Sequence, residues 1–161
     1  MGDFVTLALD LGSTLGYAIG NNGVIEKSGE VALSAKDSHP GHRWLRFQDW
    51  LYDHKEVDEI LYEDVMFYGS AHTARVYCGL LAILQTFCLV HRIRMRAIGP
   101  KVIKKEFTGN GNANKLDMIE TAINIGWKNG RRGSEVNNNE CDAVALLWIV
   151  YKRDRKEPSF A

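Results

Sequence analysis

The chain has 161 residues and a formal net charge of zero, with 45% apolar residues, 25% charged residues and 3 cysteines. This composition excludes intrinsic disorder and predicts a single folded domain over residues 1–161, while three widely spaced cysteines exclude a disulfide scaffold and favour the cytoplasm. The longest apolar stretch, Cys78 to Val90, is shorter than the roughly 20 residues of a membrane span, so we expect no membrane association. We also expect no signal peptide, because the first charged residue is Asp3 and no basic segment precedes an apolar run.

The first part of the chain has the pattern of antiparallel strands. An apolar run at residues 4–9 predicts a buried strand that ends at Asp10. An extended pattern resumes over residues 15–19, and Asn21-Asn22-Gly23 is a typical hairpin turn. Another strand is predicted over residues 24–33. We therefore expect the sheet to begin with three antiparallel strands.

The rest of the chain has the pattern of helices that alternate with strands. In chain order the predicted elements are a helix over residues 44–51, a strand over 60–65, a helix over 71–90, a strand over 95–98, and helices over 116–125 and about 140–152. This order predicts an α/β domain with a mixed five-stranded sheet and helices on both faces. Right-handed crossovers would place the strand over residues 60–65 beside the first strand.

Basic and acidic residues separate locally, although their totals balance. Residues 92–105 contain six basic side chains and no acid, whereas residues 49–64 contain seven acids and one lysine. The six basic residues are Arg92, Arg94, Arg96, Lys101, Lys104 and Lys105. Such separation can produce a basic surface that meets a polyanion, but it can equally arise from ordinary solvated helix faces.

Four acidic residues occupy positions where a carboxylate is locally unusual. Asp10 ends an apolar strand, Glu63 lies within a second one, and Glu140 and Asp142 adjoin an apolar helix. A buried carboxylate needs a compensating partner, and Mg²⁺, which prefers oxygen ligands, is one. Each position alone can be structural, because acids are also favoured at helix starts. Taken together, the four acids predict a metal site that could serve a phosphodiester displacement.

Four segments, in order, resemble the motifs of the RuvC-type Holliday junction resolvases, which are nucleases of the RNase H-like fold. They are Asp10-Leu11-Gly12-Ser13-Thr14-Leu15-Gly16-Tyr17-Ala18, Tyr62-Glu63-Asp64-Val65-Met66-Phe67, Phe107-Thr108-Gly109-Asn110-Gly111-Asn112-Ala113-Asn114-Lys115 and Asn139-Glu140-Cys141-Asp142-Ala143-Val144-Ala145. Each motif alone is weak, but the ordered set covers nearly the whole chain. The resemblance implies an RNase H-like α/β fold and a bacterial or phage-encoded, metal-dependent endonuclease that resolves four-way DNA junctions by paired symmetric nicks.

The resemblance implies that Asp10, Glu63 and Asp142 are catalytic ligands of Mg²⁺, for which Mn²⁺ could substitute. The family usually has a second aspartate three residues before the last one, and here that position is Asn139. We expect Glu140 to be the fourth catalytic ligand instead, although residues 140 and 142 point about 200° apart around an ideal helix. Asn139, which shares a helix face with Asp142, is the alternative ligand. No other cofactor is indicated.

The resemblance also implies residues that bind DNA. Lys115 follows a Gly/Asn loop and opens a helix, a place that suits a phosphate near the scissile bond, although a solvated lysine is the alternative. Phe67 and Tyr68 resemble the family's aromatic wedge, which stacks on bases where strands separate, although both could instead be core aromatics. Further lysines that fit non-specific contacts with the DNA backbone are Lys101, Lys104 and Lys105.

The expected partners are branched double-stranded DNA and a second copy of the chain, because two symmetric nicks require two active sites. Other functions stay open. Asn139 leaves room for a non-cleaving junction-binding protein, or for an RNase H-like nuclease that acts on RNA or other branched DNA. Asp10-Leu11-Gly12-Ser13-Thr14 also resembles the first phosphate loop of sugar kinases and actin-like ATPases, but those proteins need two related domains and a second phosphate loop.

Overall fold

The computed structural model describes residues 2–34, 39–128 and 138–161. Its strands are β1 (Val5–Asp10), β2 (Thr14–Asn21), β3 (Val24–Ala32), β4 (Glu59–Glu63), β5 (Arg94–Ile98) and β6 (Ser159–Phe160). Its helices are α1 (His42–Tyr52), α2 (Ala71–His91), α3 (Pro100–Thr108), α4 (Lys115–Asn124) and α5 (Asn138–Arg153). The strands form one mixed sheet in the order β5-β4-β1-β2-β3-β6.

The first three strands are antiparallel, as the sequence predicts. Asn22 and Gly23 between β2 and β3 both have positive φ, at 51° and 101°, which is the hairpin conformation that suits the twist of the flanking strands. The register pairs Asp10 with Gly16 across β1 and β2, and Gly16 with Glu30 across β2 and β3. These three residues therefore form one row across the sheet.

The parallel half of the sheet brings two of the predicted site residues side by side. β4 pairs with β1 in parallel, and the last recorded pair joins Leu9 to Tyr62. The next residue along each strand is Asp10 in β1 and Glu63 in β4. Because the carboxyl ends of parallel strands share one edge of a sheet, these two acids end neighbouring strands.

Two elements differ from the sequence prediction. The sheet has six strands rather than five, because the two-residue strand β6 pairs in parallel with β3. Such a strand is too short to produce a recognisable alternation of apolar and polar residues. Helix α3 follows directly after β5, although Gly99-Pro100 is a dipeptide typical of a turn that ends a strand. Pro100 instead occupies the start of a helix, where its missing N–H costs no hydrogen bond.

Helices cover both faces of the sheet, which confirms the predicted layer arrangement. Leu7 and Leu9 of β1 pack into a cluster with α1 and α2, whereas Ala8 between them packs into a cluster with α3, α4 and α5. Helix α5 lies so close to β2 that a side chain at Gly16 would collide with the backbone carbonyl of Asn139. This close approach places the start of α5 over the end of β1.

Helix α2 is only partly covered by the rest of the described chain. Among the residues that the structure describes, α2 is the one helix that is long and apolar enough to cross a membrane. In its apolar stretch, 28% of the residues are buried. One side, with Val76, Leu80 and Leu84, is buried against the sheet, while Leu89 is 81% exposed and Val90 is 68% exposed. Because its inner side belongs to the core, length and composition alone are weak evidence for a membrane span.

Candidate metal and nucleic-acid site

Three of the predicted acids come together where β1, β4 and α5 meet. Burial first, and then repulsion by Glu63 and Asp142, raises the pKa of Asp10 well above its usual value. Burial and the Asp142 charge raise the pKa of Glu63 to about 7, although Lys104 acts in the opposite direction. Burial raises the pKa of Asp142 to about 6 against the lowering effect of Lys104 and Lys115. Each acid therefore lies near other negatively charged groups, and the nearby lysines offset this negative charge only in part.

A cavity of about 160 Å³ opens beside these acids and carries both signs of charge. Its lining comprises Glu63, Pro100, Ile103, Lys104, Asn114, Lys115, Met118 and Asp142. The acidic side can attract a cation, and the two lysines can hold an anion such as a phosphate. The cavity thus combines the two kinds of group that phosphodiester chemistry needs.

The two cavity lysines are positioned by helices α3 and α4. Lys115 begins α4, where Asn114 and Asp117 form a reciprocal capping box that fixes the helix start. Lys104 lies on α3, which is joined to α5 by the Arg153 Nε donating to Glu106 Oε2 at 2.7 Å. Lys101 and Lys105 lie elsewhere on α3 and are exposed, beside a shallow groove of about 400 Å³. The three α3 lysines therefore divide between the acidic cavity and the outer surface.

The donor chemistry of the site suits a hard divalent cation, although its side chains are not arranged as a closed cage. Within residues 2–34, 39–128 and 138–161, no group of three or more His, Cys, Asp or Glu side chains is arranged to hold a metal ion. Mg²⁺ does not require such a cage, because it usually keeps several waters and is held by one or two carboxylates together with substrate phosphate. The raised pKa values of Asp10, Glu63 and Asp142 mark carboxylates that a cation would stabilise in their charged form.

Glu140 points away from this cavity. Its Oε1 accepts a hydrogen bond from Ser28 Oγ at 2.7 Å, and the residue is 4% exposed. It lines a different cavity of about 410 Å³, which Trp127 and Lys27 also line. Helix α5 is already regular from Asn138, so residues 140 and 142 project to different sides. This placement argues against the expectation that Glu140 shares an ion with Asp142.

Glu30 belongs to the surroundings of the site, although the sequence analysis does not identify it. Its Oε1 accepts hydrogen bonds from the backbone N–H groups of Asn139 at 3.2 Å and Glu140 at 3.4 Å. Its charge also contributes to the raised pKa of Asp10. Glu30 lies in a mostly polar strand and outside the four motifs, so only the register of β2 and β3 reveals its position.

The two aromatic residues predicted to contact bases differ in their surroundings. Phe67 is 94% exposed in the segment between β4 and α2. The Tyr68 ring lies 5.5 Å from the Tyr77 ring, and its hydroxyl lies 3.9 Å from Cys78 Sγ. Phe67 is therefore available to a partner, whereas Tyr68 is partly packed against α2.

The basic segment at residues 92–105 does not form one surface, because two of its arginines are engaged in ion pairs. Arg94 Nε donates to Glu59 Oε1 at 3.0 Å, and Arg96 Nη2 donates to Glu59 Oε2 at 2.8 Å. Arg96 also binds both carboxylate oxygens of Asp154, at 3.1 and 2.8 Å. These arginines join β4, β5 and the residue that follows α5, so their role in the structure is to hold the fold together.

No protein-family model matches the sequence, and no curated protein resembles it significantly. Solved structures are similar in fold. RuvC from Thermus thermophilus in complex with a Holliday junction substrate is 20% identical with a TM-score of 0.76, covering 94% of this chain and 95% of that one. A further Thermus thermophilus RuvC structure is 19% identical with a TM-score of 0.73, covering 95% of this chain and 98% of that one.

A eukaryotic protein has the same architecture. The yeast mitochondrial Holliday junction resolvase Ydc2 is 14% identical with a TM-score of 0.68, covering 92% of this chain and 78% of that one. Likeness over nearly the whole chain at such low identity establishes a common arrangement of strands and helices. The chain therefore has the RNase H-like fold of the RuvC-type Holliday junction resolvases.

Proposed function

We propose that this protein is a metal-dependent endonuclease that resolves four-way DNA junctions by paired symmetric nicks. The observation that carries the proposal is the cavity in which Glu63 and Asp142 stand beside Lys104 and Lys115, next to Asp10. The similarity in fold to proteins described as Holliday junction resolvases supports the same conclusion. The cavity supplies the acidic and basic side chains for phosphodiester cleavage, and the similar structures suggest that the substrate is a four-way DNA junction.

Asp10, Glu63 and Asp142 are the residues that would hold Mg²⁺, with Mn²⁺ as a substitute, and Asn139 is the remaining candidate for a further ligand. When bound, the metal supplies an activated water and stabilises the leaving 3′ oxygen. The carboxylates themselves must be ionised to act as ligands, so each must lose the proton that its raised pKa favours. Lys104 and Lys115 hold the scissile phosphate over the acids.

Contacts outside the cavity orient the DNA. Lys101 and Lys105 are exposed on α3 and bind backbone phosphates without reading sequence. Phe67, which is 94% exposed, stacks on a base at the junction centre, where the strands separate and bases are available. Tyr68 supports the segment that presents Phe67 through its contacts with Tyr77 and Cys78.

The functional unit is a homodimer in which the exposed side of α2 is the contact surface. Leu89 and Val90 lie on this side, and a groove of about 360 Å³ beside them is lined mostly by apolar residues that include Ile83 and Phe87. Burial of this surface in a two-fold dimer would remove apolar area from water and provide the two active sites that paired nicks require. We place the protein in the cytoplasm of a bacterium or of a phage-infected host.

The experiment that tests the proposal is a nicking assay on a synthetic four-way junction with Mg²⁺, using the wild-type protein and Asp10→Asn. We expect the wild type to make paired nicks, and we expect Asp10→Asn to bind the junction without cleaving it. Equal nicking by the two proteins would refute the proposal. A linear duplex of the same length is the control for selectivity.

A non-cleaving junction-binding protein, or a nuclease for RNA or other branched DNA, is the second candidate. Asn139 at the place of a usual aspartate favours it, and so does the open arrangement of acids in the described residues. Junction affinity without cleavage in Mg²⁺ or Mn²⁺ would support the binding protein. Faster cleavage of structured RNA than of junction DNA would support the other nuclease.

A further inference from the structure

We propose that Glu30 is a positioning residue that sets the start of α5 over the acidic site and supplies the negative charge that an aspartate at position 139 would otherwise provide. This inference deepens the proposed function and rests on the assignment of Asp10 and Asp142 as metal ligands. Asn139 carries no charge, and in this proposal Glu30 on strand β3 replaces the missing negative charge, rather than Glu140 on the same helix as Asn139.

The sheet register brings Glu30 to the site. Asp10, Gly16 and Glu30 are paired directly across β1, β2 and β3, and residues so paired project from the same face. Neighbouring strands lie about 4.8 Å apart, so the backbones of Asp10 and Glu30 are separated by roughly 10 Å. Gly16 between them has no side chain, and the backbone of Asn139 occupies the space above it.

The start of α5 is held by the Glu30 carboxylate. Glu30 Oε1 accepts hydrogen bonds from the N–H groups of Asn139 and Glu140, at 3.2 and 3.4 Å. An anion is stabilised at a helix N-terminus, where N–H groups lack partners within the helix. Asp142 lies one turn beyond Asn138, so an anchored first turn determines where its carboxylate faces Asp10.

The charge of Glu30 acts on the same place as the ligand charges. Glu63 ends the strand next to that of Asp10, and Glu30 lies in the same row of the sheet as Asp10 and binds the start of the helix that carries Asp142. A divalent cation bound at Asp10 would be attracted by each of these carboxylates, because a negative charge that repels the Asp10 carboxylate attracts a cation. Asn139 adds no charge, so Glu30 supplies the further negative charge in this row of the sheet.

Glu140 cannot provide the same effect from its position in the structure. Its carboxylate is engaged by Ser28 Oγ and lines the cavity beside Trp127, on another side of α5 from Asp142. The two glutamates are therefore separable by mutation. Substitution of either by Gln keeps an acceptor oxygen and removes only the charge.

The test compares Mn²⁺ binding to the full chain without DNA, measured by electron paramagnetic resonance titration, for wild type, Glu30→Gln, Glu30→Ala and Glu140→Gln. We expect Glu30→Gln to weaken Mn²⁺ binding about fivefold and to lower Tm less than Glu30→Ala does, because the hydrogen-bond acceptor is kept and only the charge is lost. Glu30→Ala should weaken binding further and lower Tm, because both are lost. The matched control is Glu26→Gln, a loss of the same charge at an exposed position of the same strand.

Wild-type affinity in both Glu30 variants, or weaker binding in Glu140→Gln alone, would overturn the proposal. Junction cleavage is measured in parallel, so that the two conclusions can fail separately. Normal cleavage with no effect of Glu30 on Mn²⁺ binding would refute only the role of Glu30. A wild type that binds Mn²⁺ in a Glu30-dependent manner but cleaves no junction would refute only the nuclease.

Discussion

Asp10 and Glu63 end neighbouring parallel strands, and burial together with repulsion from the Glu63 carboxylate raises the pKa of Asp10. Asp142 adds a further negative charge from α5, and Lys104 and Lys115 offset only part of it. Repulsion of this kind is unfavourable in the free protein and becomes favourable attraction when a divalent cation is bound. Under the proposed function, a bound cation would offset this repulsion.

The first prediction concerns the pH dependence of stability without metal. Burial raises the pKa of Glu63 from 4.5 to about 7, so between these values the folded state binds a proton that the unfolded state has lost. This stabilisation is present at pH 4.5 and disappears as pH rises through 7, with up to roughly 3 kcal/mol from Glu63. Urea unfolding from pH 5 to 8 should show the loss.

The matched variant for this measurement is Glu63→Gln, which remains neutral throughout. It should lose less stability over the same pH range than the wild type. Addition of Mg²⁺ at pH 8 should stabilise the wild type more than the variant, because a bound cation favours the ionised carboxylates. Equal pH dependence of the two proteins would show that Glu63 does not carry the effect.

The second prediction separates the two acids of α5. Asp142→Asn should reduce the nicking rate by about 100-fold or more, because it removes a proposed metal ligand from the cavity. Glu140→Gln should retain most of the activity, because its carboxylate binds Ser28 and the amide oxygen can accept the same hydrogen bond. Single-turnover nicking rates provide the comparison. The reverse order of effects would restore Glu140 as the ligand.

The third prediction concerns the exposed lysines of α3. The double substitution Lys101→Ala with Lys105→Ala should weaken binding equally to junctions of different sequence, because backbone contacts carry no sequence information. The slope of log affinity against log salt should become shallower by about 2, which corresponds to two lost phosphate contacts. Fluorescence anisotropy at several salt concentrations measures this slope. Lys152→Ala, at the exposed end of α5, is the control and should leave the slope unchanged.

The fourth prediction concerns Phe67. Phe67→Ala should leave Tm unchanged, because the side chain is 94% exposed, and it should weaken junction binding by about 1–3 kcal/mol if one base is stacked. A 2-aminopurine base at the junction centre would report the stacking directly. Met66→Ala removes a neighbouring side chain that is 70% exposed and should not change this fluorescence. Identical signals from the two variants would contradict the wedge assignment.

The fifth prediction concerns the exposed side of α2. Leu89→Glu should convert the proposed dimer to a monomer, because it places a charge in the apolar contact surface. Sedimentation equilibrium measures the change. Ile123→Glu, at a position of α4 that is 54% exposed, should leave the association state unchanged. A wild-type protein that is monomeric at micromolar concentration would exclude this surface as a stable dimer contact.

Most of the strand and helix pattern could be predicted, because it depends on residues close together in the chain. Apolar runs indicate β1 and β4, and Asn22-Gly23 indicates the turn between β2 and β3, since these signals are local. The start of α3 at Pro100 could not be distinguished from a turn after β5, because Gly-Pro is compatible with both. The two-residue strand β6 exists only through its pairing with β3.

The sequence by itself determined which acids are unusual, because a carboxylate in an apolar segment is conspicuous wherever the segment lies. Only the tertiary structure decided which of them lie together. Helix geometry turns Glu140 towards Ser28, and strand register brings Glu30 to the start of α5 from an unremarkable position in β3. Such long-range relationships depend on how strands align and helices pack, and no local pattern of residues records them.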